Sequence, residues 1–171
     1  MIMGIFEGNT GGLINNRIAP GIYNLGSFYN YEDGCAIKLG PSNVNTMYNI
    51  NIRGNSYTDG NNVMPINASF QFYNYADDDT ILRCCGVNYG SPIGNMSVFH
   101  FDNCIYAYVK QQSDYQTLSF EIITGNSDDS FIMRVDNTGI PDSVTEILEI
   151  TPINMVLTEN ELNNIFKEIG I

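Results

Sequence analysis

The sequence predicts an all-β protein, an antiparallel β-sandwich or jelly-roll-like domain that closes with a short C-terminal α-helix. Three observations predict it. Apolar residues recur at every second position in short runs, turn-forming residues separate those runs, and helical periodicity is confined to the C-terminal end.

Residues 1–17, Gly- and Asn-rich around Gly8-Asn-Thr-Gly-Gly12, read as a loose attachment segment. Residues 18–150 read as the sandwich. Ile22-Tyr-Asn-Leu25 follows the Pro20-Gly21 turn signal. Tyr48, Ile50 and Ile52 alternate with Asn49, Asn51 and Arg53, and Gly54 is expected to end that run. Ala68, Phe70 and Phe72 alternate with Ser69, Gln71 and Tyr73. Ile105, Ala107 and Val109 alternate with Tyr106 and Tyr108. Leu118, Phe120 and Ile122 alternate with Ser119 and Glu121, and Phe131, Met133 and Val135 with Ile132 and Arg134. Each run places one apolar row inward and one polar or tyrosine row outward. No βαβ alternation appears, which argues against most nucleotide-binding folds.

Residues 151–171 read as a strand and helix appendage. Thr158-Glu-Asn-Glu161 has the form of a capping box, and Leu162, Ile165, Phe166 and Ile169 follow at helical spacing, predicting a helix over 159–169. Its apolar stripe calls for burial, on the sandwich or against another chain; the sandwich is the expected site.

The bulk properties narrow the function. A chain of 171 residues is long enough for one domain with a core of its own. Only 15% of residues are charged, so polarity comes from amides and hydroxyls, a composition suited to hydrogen bonding and ring stacking at a wet interface. Seven basic residues against nineteen acidic ones give a net charge of −12, which disfavours nucleic acid and anionic membranes. No membrane insertion is expected, and the first eight residues lack the basic and long apolar regions of an export signal.

No cofactor or metal is expected. Cys35, Cys84, Cys85 and Cys104 form no C-x-x-C pair and have one histidine, His100, to join them; four thiols are the expected state, with Cys84 and Cys85 on opposite faces of a strand. His100 lies in the aromatic run Val98-Phe-His-Phe-Asp102, where a structural imidazole is expected, and no nucleophile elbow accompanies it. The acidic sets Asp77-Asp-Asp79 and Asp128-Asp129 fall in predicted turns, where solvated carboxylates are the default. Calcium ligation, or glycoside hydrolysis by paired carboxylates, are their alternatives. Tyr73 and Tyr75 beside the first acidic set, and Tyr106 and Tyr108 on one strand face, suit sugar stacking; covering a sheet face or a subunit interface would use the same residues.

Tyr48 to Thr124 resembles a domain near the C-termini of bacteriophage tail fibre proteins. The resemblance is carried by Ile50-Asn-Ile-Arg-Gly54 with Tyr57, Pro65-Ile-Asn-Ala-Ser-Phe70 leading into Tyr73-Asn-Tyr75, Gly86-Val-Asn-Tyr-Gly90, Ile105-Tyr-Ala-Tyr-Val109 and Tyr115-Gln-Thr-Leu-Ser-Phe120. It implies a virion module, made in the host cytoplasm, that forms a homotrimer, joins other virion proteins and presents loops to a host-surface glycan or protein. Full fibres of this kind also carry an attachment domain and a shaft, so a fragment, a short fibre, or a head-fibre or decoration protein is expected. Under that reading the receptor contacts come from Tyr57, Tyr73, Tyr75, Asp77, Asp78, Asn88 and Tyr89, displayed in loops 54–64, 73–80 and 86–95. A purely structural virion unit is the alternative function, and a small glycosidase a third; the adhesion reading expects no enzyme.

Overall fold

Alternating runs become strand along most of the chain. The computed structural model describes residues 13–14, 17–19, 21–30, 34–58, 62–76, 80–90, 93–110, 115–125, 133–136, 139–155 and 159–169. In chain order the strands are β1 (Leu13–Ile14), β2 (Arg17–Ala19), β3 (Ile22–Asn30), β4 (Cys35–Pro41), β5 (Thr46–Thr58), β6 (Asn62–Tyr75), β7 (Thr80–Asn88), β8 (Met96–Phe101) and β9 (Cys104–Val109). Then come β10 (Tyr115–Thr124), β11 (Arg134–Asp136), β12 (Leu148–Ile150), β13 (Ile153–Asn154) and the helix α1 (Glu159–Ile169).

The strands form two packed sheets, an all-β sandwich as the alternation predicts. One is ordered β1-β11-β4-β9-β8-β12, the other β13-β7-β6-β5-β10-β3-β2. All described pairings are antiparallel except β13 on β7. Consecutive β5, β6 and β7 pair in turn, the chain crosses to the other sheet for β8 and β9, and β10 returns to lie beside β5. That path is a Greek key. Asp102 and Asn103, with φ of 50° and 56°, turn β8 into β9 with the left-handed pair that matches strand twist in a two-residue hairpin.

The inward phase of the alternation is the core. Ile50, Ile52, Phe70, Phe72, Leu118, Phe120 and Ile122 from the larger sheet face Ile37, Leu39, Met96, Val98, Ile105 and Ala107 from the smaller. Tyr48 is buried against Phe72, ring centroids 5.3 Å apart. Burial, with the Cys104 and Tyr23 side chains adding to it, pushes its hydroxyl far above the usual phenol range. Gly40, where β4 bulges against β9, leaves the room that hydroxyl occupies: a Cβ there would collide with Tyr48 Oη.

Several expectations change. Gly54 does not end its strand; β5 continues to Thr58, because glycine is what lets β10 pass close by, a Cβ at 54 running into the Thr117 carbonyl oxygen. Strand pairing also begins before residue 18, at Leu13 against Val135, and β13 of the predicted appendage belongs to the larger sheet. Cys84 and Cys85 are both exposed rather than on opposite faces. Gln71 pairs with Cys85 and Tyr73 with Leu82, so Arg83 and Cys84 together oppose Phe72, a bulge that breaks the alternation. All four cysteines are free thiols.

Strand β6 outreaches its neighbour. Its pairing with β7 begins at Ala68, so Asn62–Ile66 has no strand on its outer side among the described residues; Pro65 sits in that stretch, where a ladder tolerates a residue without an N–H. The helix forms over the predicted residues but does not dock. Its described side chains are exposed, including Ile165 at 40% and Phe166 at 44%, and no strand makes more than marginal contact with it among the described residues. Thr158 of the capping box lies outside the described residues. No described helix is long and apolar enough to cross a membrane.

Candidate functional site

The outward phase of the same strands builds a polar face on the larger sheet. Register places Glu121, Asn51, Ser69 and Val87 in one row across β10, β5, β6 and β7. The next row is Ile123, Asn49, Gln71 and Cys85; on the other side come Ser119, Arg53 and Asn67, then Thr117, Asn55 and Pro65. Strands lie about 4.8 Å apart and alternate residues on one strand about 6.6 Å apart, so the rows form a lattice of amides and hydroxyls.

Side chains lock parts of that lattice together. Asn51 Nδ2 donates to Glu121 Oε1 at 2.9 Å, Ser69 Oγ donates to Asn49 Oδ1 at 3.2 Å, and Cys85 Sγ approaches Gln71 Oε1 at 3.9 Å. Arg53 and Glu121 alone carry formal charge in these rows, and Asn51 bridges to the Glu121 carboxylate. Such a face can both donate to and accept from a polyhydroxylated ligand, and its partly fixed groups lose little freedom in doing so.

One end of the face is aromatic. Tyr73 and Tyr75 are outward, half-buried neighbours on β6, ring centroids 6.4 Å apart and tilted by 33°, and exposed Met47 pairs across from Tyr73. They are the part of the predicted contact set that the fold brings together. Tyr57 is exposed on β5 opposite Val63, ten residues along β6 from Tyr73 and therefore about 33 Å away. Tyr89 is exposed just past β7, level with Asn67. Asn88 is buried instead of displayed: its Nδ2 donates to the Ile93 carbonyl at 3.0 Å, and its backbone carbonyl accepts from Met155 N–H. Asp77 and Asp78 lie outside the described residues, as do Asp79, Asp128 and Asp129. Of the expected display loops 54–64, 73–80 and 86–95, residues 54–58, 62–64, 73–75, 80 and 86–88 are strand.

Tyr106 and Tyr108 face outward on the smaller sheet. Tyr106 stacks on Phe99, centroids 5.5 Å apart and planes 5° from parallel, and meets the edge of Phe101 at 6.1 Å, so its ring is occupied within its own sheet.

His100 points the other way, into the sandwich. Buried Asn74 on β6 donates through Nδ2 to the carbonyls of Ser42 and Val44, both at 2.8 Å, which fixes its amide and turns Oδ1 toward His100. His100 Nε2 lies 2.8 Å from that oxygen and so carries the proton it donates. The pair joins the two sheets and ties in the turn between β4 and β5, which Asn45 also fastens by accepting from Ala76 N–H at 2.7 Å.

Beside His100 an open cleft of about 780 Å³ runs between Val98–His100 of β8 and the segment 143–148, with Ile81 of β7 as a further wall. It exists because β12 pairs with β8 only from Leu148 to Ile150, against Val98 to Met96. Ahead of Leu148 the chain is held off β8 by a turn in which Val144 N–H donates to the Pro141 carbonyl at 3.0 Å.

The residues that sequence reasoning missed are Asn49, Asn51, Ser69, Gln71, Thr117 and Ser119. Their signal was the polar phase of the alternation, which becomes a surface only when register lines the strands up. Among the described residues no three His, Cys, Asp or Glu side chains gather as metal ligands. No family model, curated protein or solved structure matches this chain.

Proposed function

We propose that the protein is a non-catalytic adhesion module of the phage tail-fibre type, binding a host-surface glycan through the outer face of its larger sheet. The observation that carries this reading is the lattice of Asn49, Asn51, Ser69 and Gln71, partly hydrogen-bonded within itself, ending in the Tyr73–Tyr75 pair. Sugar hydroxyls need dense, bivalent hydrogen-bonding groups, and the C–H faces of a pyranose need a flat ring nearby. The face supplies both, with few charges to desolvate.

The reading includes assembly into a homotrimer that joins other virion proteins. The exposed part of the α1 stripe, Ile165 and Phe166, supports it. Eleven residues of helix are marginal alone in water, and Ile165 and Phe166 invite burial against further copies. That stripe equally favours a second reading, a virion unit whose sole task is assembly.

Glycan-array binding by the assembled protein, repeated with Asn51→Ala combined with Gln71→Ala and with Tyr73→Ala, separates the two. Adhesion expects array signals that fall about thirtyfold in the paired variant and about fivefold in Tyr73→Ala, each face residue contributing on the order of 1 kcal/mol. Binding unchanged by both sets would remove the face from the function, and silence on the array with retained assembly would leave the assembly unit. Light scattering near three times 19.1 kDa supports the trimer; a monomer rejects it.

A further inference from the structure

The cleft beside β8 has a chemistry distinct from the polar face. Ile81, Val144 and Ile147 give it apolar walls, and Thr145 and Glu146 stand exposed at its rim. Among its described lining residues are one carboxylate and no Lys or Arg. Its one imidazole is oriented from behind, since His100 Nε2–H is directed to Asn74 and Asn74 to two backbone carbonyls. Its volume falls within the range of small-molecule sites.

We infer that this cleft is a binding site for a small organic ammonium with a compact apolar body. The apolar part lies along Ile81, Val144 and Ile147, leaving water as ligand sites generally require. The ammonium sits at the rim, donating to the Glu146 carboxylate and the Thr145 hydroxyl. An anion of the same shape meets that carboxylate inside the field of a chain of net charge −12. A neutral analogue keeps the apolar contact and loses the charge pairing. The site is independent of the adhesion reading, which uses the opposite phase of the larger sheet.

His100 is the only histidine in the chain, so its ring C–H resonances report on the cleft without assignment. The test titrates the full protein, at low ionic strength, with benzylammonium, benzyl alcohol and benzoate, three probes of nearly one shape. Benzylammonium is expected to shift the His100 signals saturably, about three-fold tighter than benzyl alcohol, as an exposed ion pair allows. Benzoate is expected to be the weakest. Glu146→Gln should erase the ammonium advantage and leave benzyl alcohol unchanged, and Ile147→Ser should weaken both. No saturable shift from any probe, equal binding of the three, or an advantage that survives Glu146→Gln overturns the assignment.

Discussion

Phe70 and Phe72 on β6 and Phe120 on β10 find partners from the facing sheet and are withdrawn from water, whereas Ile165 and Phe166 on α1 remain in it. Both regions carry a well-formed apolar pattern, period two in one and helical in the other. The sandwich closes on itself because Greek-key wiring brings β10 and β5 together from distant parts of the chain. The helix has no such return path among the described residues, and its Ile165 and Phe166 stay uncovered. A correct amphipathic pattern therefore guarantees an element, and leaves open which molecule covers it.

The largest test of that contrast is Phe70→Ala. Loss of a fully buried ring at the centre of the larger sheet is expected to cost about 3–5 kcal/mol in denaturant unfolding, with the urea slope unchanged. A cost below about 1 kcal/mol would mean that the core is not shared as described. Asn74→Ala comes next, at about 2–3 kcal/mol, because the Ser42 and Val44 carbonyls and His100 lose a buried partner together. The double variant with His100→Ala should cost less than the sum of the two singles, since both remove one contact. Additive costs would show that the strut between sheets is not a unit.

Tyr48 offers a pH test of the closed core. Its folded-state pKa is raised, so the neutral form is favoured in the folded protein. That stability is fully present below the ordinary phenol value near 10 and is lost as pH rises beyond it. Unfolding curves should show stability falling above about pH 10 in the wild type and falling less steeply in Tyr48→Phe. An identical alkaline decline in the two would place the cause elsewhere. The smallest effect is expected from Phe166→Ala, within about 0.5 kcal/mol for sandwich unfolding in the dissociated chain. A cost above about 1 kcal/mol would show the helix packed on the sandwich and erase the contrast.

The legible parts of this molecule are those with a local cause. Alternation at Tyr48-Ile50-Ile52 and Leu118-Phe120-Ile122 is set by strand geometry alone, and the inward residues are buried as read. The helix at 159–169 follows from its own spacing. What was not legible depends on pairing between segments far apart. Gly54 reads as a stop because glycine usually punctuates, yet its purpose is the approach of Thr117, more than sixty positions later in sequence. Cys84 and Cys85 read as opposite-facing because a bulge is a property of two strands, not one. Of the tyrosines singled out as contacts, register keeps Tyr73 and Tyr75 together and sets Tyr57 far from them, and it gathers the amides that the pattern had marked only as outward.

The distal part of β6 carries one more consequence. A long strand whose outer side has no neighbour among the described residues is a template onto which a passing extended chain can add, and crowding many copies together multiplies the opportunities. Pro65, in the middle of that bare stretch, has no hydrogen to offer such a newcomer and interrupts the ladder after a residue or two. Val63 and Tyr57 can then stay uncovered on these strands without the edge seeding sheet-to-sheet aggregation.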